Sequence, residues 1–381
     1  MEHIFSDFKQ NKDTLTFTIS NCDVSFANAL RRTILTDVVT VGFNTDDYNT
    51  SDLKVIKNNS CLHNEFLLHR LGLVPIYSSN IDKFDCSLYK YILKVKNVGN
   101  DILDVTTRDI QVINVQTNTE EENNNFFKAN EITGDHILLT KLKPNPDQNG
   151  EEIHIEGTCS KGSGSDNIRY SPVSKMCFVN KIDPARAQEA LQVYLAENAG
   201  KDTEEKLIRR FNIEESERHY YVNENGDPNV FDFIIESKGV MKPYKILIEA
   251  IKCLIKKLQN FNNNIDLFLK REKSTIEITE SSALMKGFEL TINEESHTLG
   301  FLIQSYINLL HSDVIFIGYM NPHPLQKKIM FRISSSDDDV TVMHNIFKET
   351  SNHLIGILDK LKKEFMRKFE GKVMFKPKKK K

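Results

Sequence analysis

Apolar and polar positions alternate from Leu15 to Ile19, which predicts a half-buried strand. The next stretch, Ser25 to Thr36, changes to helical spacing, with Phe26, Leu30, Thr33 and Ile34 on one face and Asp23 or Ser25 in position to cap it. From Asp46 to Arg169 short strand-like runs such as Tyr91 to Val95 and Gln111 to Val115 alternate with polar stretches, predicting a separate, mostly β lobe with an exposed loop around residues 117–125. Asp183-Pro184 opens a helix to Leu195, followed by helix and loop through the charged segment to Arg218, and Val230 to Ile235 alternates again as a strand. Pro243 to Asn260 then carries Leu247, Ile251, Leu254, Ile255 and Leu258 as a single apolar stripe, and the Asn-rich run 260–264 is expected to end that helix. Beyond a polar joint at Arg271 to Ser282 the order recurs: strand Gly287 to Ile292, helix Ser296 to Leu310, strands Val314 to Tyr319 and Lys328 to Ile333, and a long helix Val340 to Phe369.

That recurrence is visible in the residues themselves. Thr16 to Leu30 can be laid on Leu290 to Ile303 so that Ile19 meets Ile292, Ser25 meets Thr298, Phe26 meets Leu299 and Ala27 meets Gly300, while Phe231 to Ser237 corresponds to Met330 to Ser335. A helix with one apolar face must bury it, and the other copy is the natural partner. The predicted fold is therefore α+β: two diverged strand-helix dimerisation modules packed as an intramolecular pseudo-heterodimer, plus an inserted mostly β domain. The expected domains are 1–45 with 178–275, the insert 46–177, the second module 283–375 and a basic tail 376–381. Phe26, Leu30, Ile34 and Ile251 are expected in the intramolecular seam.

Composition narrows the function classes. The chain has 381 residues, 39% hydrophobic and 27% charged, which fits a globular protein of two or three domains. No apolar run approaches the ~18 residues of a membrane span, so no membrane partner is expected. Six scattered cysteines read as reduced thiols of an intracellular protein. Lys360 to Lys381 holds eleven basic and two acidic residues against a whole-chain net charge of −3, so the body is acidic and lacks the positive face of a stand-alone nucleic-acid binder. The terminal lysines read as a solvated end, with nuclear targeting or nucleic-acid contact as the alternatives.

Candidate chemistry is sparse. His63, Glu65 and His69 are close, but the histidines are six apart rather than four, which argues against zinc ligation on one helix. Gly162 to Gly164 lacks the rest of a phosphate loop and reads as a flexible turn; Glu120 to Glu122 reads as a disordered tip, and Asp337 to Asp339 as complement to the dipole of the last helix. Arg31 and Arg32 suit a helix C-terminus electrostatically. Taken alone, Phe66 to Ile76 reads as a buried strand or helix end.

Together these segments resemble a family. SFANALRRTIL (Ser25 to Leu35) followed by EFLLHRLGLVPI (Glu65 to Ile76) is similar to the signature of the alpha-like assembly subunit of cellular RNA polymerases, the third subunit of the polymerase II type. Ser160 to Phe178 and Phe231 to Pro243 resemble its later segments, and INEESHTLGFLI (Ile292 to Ile303) with VIFIGYMNPHPL (Val314 to Leu325) resembles the smaller eleventh subunit. The resemblance implies a noncatalytic scaffold that pairs its halves internally and recruits the largest and second-largest polymerase subunits, alongside other small subunits. It implies contact with DNA and RNA only through the complex, and Mg²⁺ held by the catalytic partner rather than by this chain. Fusion of the two subunits resembles the arrangement in large nucleocytoplasmic DNA viruses, with a cytoplasmic, virion or nuclear setting left open. By motif position Asn28, Arg31, Arg32, Glu65, His69, Arg70 and Gly72 would face the second-largest subunit, and His297, Thr298, His323 and Pro324 would serve the smaller module and its contacts. Relatives often carry a zinc-binding cysteine cluster in the insert; here Cys86 stands alone in the sequence, so no metal or cofactor is expected. The residues 197–229 have no counterpart in the resemblance. The competing reading is a nucleic-acid-binding protein that uses the basic tail and the helix-end arginines.

Overall fold

The computed structural model describes residues 4–78, 80–144, 150–281, 286–336 and 339–373. In chain order these form β1 (Ile4–Asn11), β2 (Thr14–Ser20), α1 (Val24–Thr36), β3 (Val39–Gly42), β4 (Leu53–Asn58), α2 (Asn64–Gly72), β5 (Tyr89–Lys96), β6 (Leu103–Thr106), β7 (Ile110–Asn114), β8 (Thr119–Glu121) and β9 (Leu138–Leu142). There follow β10 (Glu152–Gly157), β11 (Ser160–Ser163), β12 (Val173–Asn180), α3 (Pro184–Glu197), α4 (Glu204–Glu214), β13 (Val230–Ser237) and α5 (Pro243–Leu269). The chain closes with β14 (Ile276–Glu280), β15 (Phe288–Asn293), α6 (His297–Leu310), β16 (Val314–Met320), β17 (Lys328–Ser335) and α7 (Val340–Val373). They divide into two compact units: 1–33 with 176–235 and 247–381, and 34–175 with 236–246.

The first unit contains the repeat. Its two four-stranded sheets have the orders β1-β2-β13-β12 and β14-β15-β17-β16, the same topology written twice. The correspondence extends to single residues. The strands end at Ser20 and Asn293, the helices begin at Val24 and His297, and the turn between passes through a left-handed residue in each copy, Asn21 (φ 55°) and Glu294 (φ 63°). Asn is among the few non-glycine residues that adopt this conformation readily. Asp23 caps α1 by accepting from the Ser25 N–H at 2.8 Å.

The stripe on α5 does not stop at the asparagine run. Phe261 and Ile265 extend it as buried residues, and the Asn262 side chain is held across the helix pair by Asn352, so the polar run lies inside a packed helix that continues to Leu269. Strand β14 also falls inside the expected polar joint, and its ladder runs from Ile276 opposite Ile292 to Glu280 opposite Phe288. The segment after Glu197 turns and forms a second helix, with Leu207 and Phe211 buried and Phe211 5.5 Å from Tyr194 of α3.

The second unit is built on a five-stranded antiparallel sheet, β4-β10-β5-β7-β8, with α2 and two small ribbons, β11-β3 and β6-β9. Its core holds Phe43, Tyr91 and Phe127 with Leu67, Leu68 and Leu71 of α2. Two expectations fail here. Glu120 and Glu121 lie in β8, paired with Ile113 and Val112, because the β7-β8 hairpin gives their backbone a ladder. Gly162 lies in β11 opposite Thr40 and only Gly164 falls in the turn that follows; a Cβ on Gly162 would come within 2.6 Å of the Tyr170 ring, and one on Gly164 within 2.0 Å of the Leu35 carbonyl, so close backbone approach explains both glycines. Of the acidic run before α7, Asp339 accepts from the Thr341 N–H at 2.9 Å, while residues 337 and 338 lie outside the described residues, as does the basic tail 376–381.

Candidate pairing seam and partner-facing surfaces

Within the first unit the helices after the two hairpins meet along their apolar faces. Phe26 of α1 lies 6.4 Å from the Tyr306 ring of α6, and Arg32 Nε donates to Thr298 Oγ1 at 2.8 Å. The earlier α1 residue thus meets the later α6 residue, so the helices cross in opposite senses, as a pseudo-twofold pair requires. Leu30 and Ile251, also expected in the seam, are fully buried; Ile34, likewise buried, falls in the second unit. Burial holds the Tyr306 hydroxyl neutral by pushing its pKa far up. Gly300 is where Tyr319 of β16 comes down on α6, since a Cβ would sit 2.5 Å from its ring, and the His297 ring lies 5.8 Å from the same tyrosine.

The long helices form the other part of the seam. Phe261 of α5 lies 5.9 Å from Phe347 of α7, Asn262 donates to Asn352 at 2.9 Å, and Asp266 accepts from Lys348 at 2.7 and 2.8 Å with His344 Nε2 at 3.1 Å. Hydrogen bonding to Lys348 is the largest cause holding the Asp266 carboxyl below its usual range. Farther along α7, Phe365 packs against Phe5 (6.0 Å) and Phe8 (5.4 Å) of β1, Phe369 lies 5.7 Å from Phe8, and Lys368 Nζ donates to the Phe5 carbonyl at 3.2 Å. The last helix of the second repeat thereby covers the aromatic face of the first repeat's sheet, where Phe17 and Phe233 stack at 5.0 Å. Each buried phenylalanine contributes roughly 1.5–3 kcal/mol by removal from water.

In the second unit, the stretch Phe66 to Ile76 is mostly helix rather than strand. His63 caps α2 through Nδ1, 3.4 Å from the Glu65 N–H. Leu67, Leu68 and Leu71 face the core, which leaves Phe66 (68% exposed) and Leu73 (53% exposed) on the outer side with exposed Glu65, His69 and Arg70. Arg70 is steadied by donating to the Leu138 carbonyl at 2.7 Å. Gly72 faces inward: a Cβ would lie 2.3 Å from Thr45 Oγ1 and 2.7 Å from Arg169 Nη1. Buried Arg169 pairs with Asp46 and donates to the Phe43 carbonyl at 2.8 Å.

Sequence-predicted residues therefore fall into distinct places. Arg32 and Thr298 meet in the seam; Asn28 Oδ1 holds Arg31 at 2.9–3.1 Å; Glu65, His69 and Arg70 share the outer side of α2. His323 and Pro324 sit in an exposed turn after β16, where His323 Nδ1 accepts from the Leu325 N–H at 3.2 Å and Leu325 is 89% exposed. Asp266, His344, Lys348, Asn262 and Asn352 were missed, although a carboxylate or amide in register with an apolar stripe is a readable signal once the helix is allowed to continue. Cys86 does not stand alone in space: it packs against the core holding Cys159, and that neighbouring thiol is the largest cause lowering its pKa. Among the described residues no group of three or more His, Cys, Asp or Glu side chains is placed to hold a metal ion, and no helix is long and apolar enough to cross a membrane.

A duplicated hairpin-helix-hairpin-helix frame, paired through its own helices, defines a dimerisation fold. The chain belongs to the RNA polymerase Rpb3/Rpb11 dimerisation-domain family, whose models match residues 16–258 and again 288–364. Two such domains thus occupy one chain. It is 28% identical over 303 residues to the DNA-directed RNA polymerase II subunit rpb3 of Dictyostelium discoideum, covering 66% of this chain and 91% of that protein. It is also 24% identical over 311 residues to the DNA-directed RNA polymerases I and III subunit RPAC1 of Mus musculus, covering 68% and 83% respectively. A Tetrahymena thermophila conjugation stage-specific protein is 30% identical over 183 residues, 42% of this chain and 54% of that protein, so the chain spans about half the length of that relative.

Proposed function

We propose that the chain is a noncatalytic assembly subunit of a multisubunit DNA-directed RNA polymerase, pairing its two family modules internally and recruiting the two large catalytic subunits. The observation that carries this reading is the cis seam: both partners of a dimerisation fold lie in one polypeptide, so their pairing is intramolecular and independent of concentration. In this reading the outer side of α2, with Phe66, His69, Arg70 and Leu73, receives the second-largest subunit, assisted by Asn28 and Arg31. The His323-Pro324 turn and His297 serve the smaller module's contacts. An exposed aromatic ringed by polar groups is the composition of an interface anchor. The Mg²⁺ and its aspartates belong to the catalytic partner, DNA and RNA are met through the complex, and the setting is intracellular: cytoplasm or virion for a viral chain, nucleus for a cellular one.

Because Arg32 is seated against Thr298, changing it disturbs pairing as well as any outer contact, so α2 is the cleaner place to test recruitment. A Phe66→Ala, Arg70→Glu variant is expected to keep the wild-type melting temperature and to lose co-purification of the second-largest subunit on co-expression. Wild-type recovery of that subunit would refute the α2 contact.

A further inference from the structure

The long helices of the two repeats can be compared position by position: buried Leu254, Leu258 and Ile265 of α5 recur as buried Leu354, Leu358 and Phe365 of α7. In that register the counterpart of Asp266 is Met366, and the counterpart of Lys348 is Ile248. The ion pair between Asp266 and Lys348, with His344 alongside, therefore occupies one of two pseudo-equivalent places, while its counterpart has Met366 and Ile248 in place of the two charges and Tyr244 in place of the histidine. The neighbouring amide pair is one-sided too, because the counterparts of Asn262 and Asn352 are Lys362 and Lys252.

Pseudo-symmetry makes the alternatives explicit. Pairing α5 with α5 of a second copy would set Asp266 against Ile248, and pairing α7 with α7 would set Lys348 against Met366. Either arrangement sets a charge against an apolar side chain and forfeits its ion pair and hydrogen bonds, whereas the attraction between two partly exposed charges is modest by itself. Selection thus arises from the mismatch in the wrong pairs.

We propose that Asp266 and Lys348, supported by His344 and the Asn262–Asn352 amide pair, are a partner-selecting lock that directs the first repeat to a second repeat and excludes like-with-like association between copies. The inference depends on the pairing fold and not on the polymerase role.

The test uses full chains carrying Asp266→Lys or Lys348→Asp, under different tags. In either variant alone, like charges oppose each other in cis. Co-expressed, an exchange of second repeats puts opposite charges together at both seams. Tag-to-tag co-purification is expected to rise about tenfold or more over two wild-type chains, equivalent to about 1.4 kcal/mol. The Asp266→Lys, Lys348→Asp double variant, with the charges reversed within one chain, should return to the wild-type oligomeric state and melting temperature. Recovery of the single variants only when co-expressed supports the lock. Co-expressed variants that show no more exchange than wild type, or a double variant that melts as low as the singles, overturn it.

Discussion

In the first repeat, α1 presents Arg32 where α6 of the second presents Ser305, and the last turn of α5 carries Asp266 where α7 carries Met366. Yet strand ends, helix starts and even the left-handed turn residues coincide, so the backbone frame is duplicated while the seam chemistry is not. The Arg32–Thr298 bond shows the same one-sidedness: its pseudo-equivalent positions are Ser305 and Ser25, and Ser25 is engaged by the cap residue Asp23. The insertions are also one-sided. Residues 37–172 separate α1 from β12 in the first repeat, and α3 and α4 separate β12 from β13, whereas in the second repeat residues 311–313 join α6 to β16 and 321–327 join β16 to β17. Apolar burial makes the two halves stick, and polar differences decide which half sticks to which.

The largest expected effect falls on the shared aromatic packing. Phe365→Ala, which removes the ring inserted among Phe5, Phe8 and Phe17, should cost about 3–5 kcal/mol in urea unfolding. Phe66→Ala on the exposed side of α2 should stay within about 0.5 kcal/mol of wild type. Equal losses would mean that α7 is not seated on the first repeat's sheet.

Arg32→Ala sharpens the comparison between repeats. Losing the bond to Thr298 should cost about 1 kcal/mol, and Ser305→Ala at the corresponding place should cost less in the same unfolding assay. Equal costs would make the seam symmetric in energy as well as in shape.

Two further effects are those of pH. Asp266 has a folded pKa below its unfolded value, so it contributes stability above the usual carboxylate range and loses it as pH falls through the lowered folded value. Lys238 in the second unit carries the same sign in an alkaline window, although there it is the neutral form that folding favours. Burial lowers its pKa from 10.5 to about 8 where it donates to the Arg169 carbonyl, so between those values the unfolded chain binds more protons and that unit gains stability as pH rises. Segment-resolved hydrogen exchange should show weaker α5 and α7 protection in acid for wild type than for Asp266→Asn, relative to their neutral-pH values. Lys238→Met should abolish the alkaline gain.

Much of the frame was legible because strand and helix periods follow burial: the clean alternation at Leu15 to Ile19 and the stripe from Leu247 to Leu258 both became the elements they predict. The misses have a common physical source. Asparagines at 260–264 have low helix propensity, and tertiary packing of Phe261 and Ile265 overrode it, which hid Asp266 from the sequence reading. Gly72 was visible as a motif residue, but its cause, the Arg169 guanidinium against it, depends on a residue almost a hundred positions away. The proximity of Cys86 to Cys159 is likewise a product of folding.

The central claim is that one polypeptide supplies both halves of the dimerisation seam to itself. Replacing Phe8 by the photo-crosslinker p-benzoylphenylalanine tests it most directly, since Phe8 touches Phe365 and Phe369 at 5.4 and 5.7 Å. Irradiation should give a cross-link to α7 within a single chain, in a yield unchanged by dilution. Cross-links found only between chains, falling away as the protein is diluted, would contradict the account.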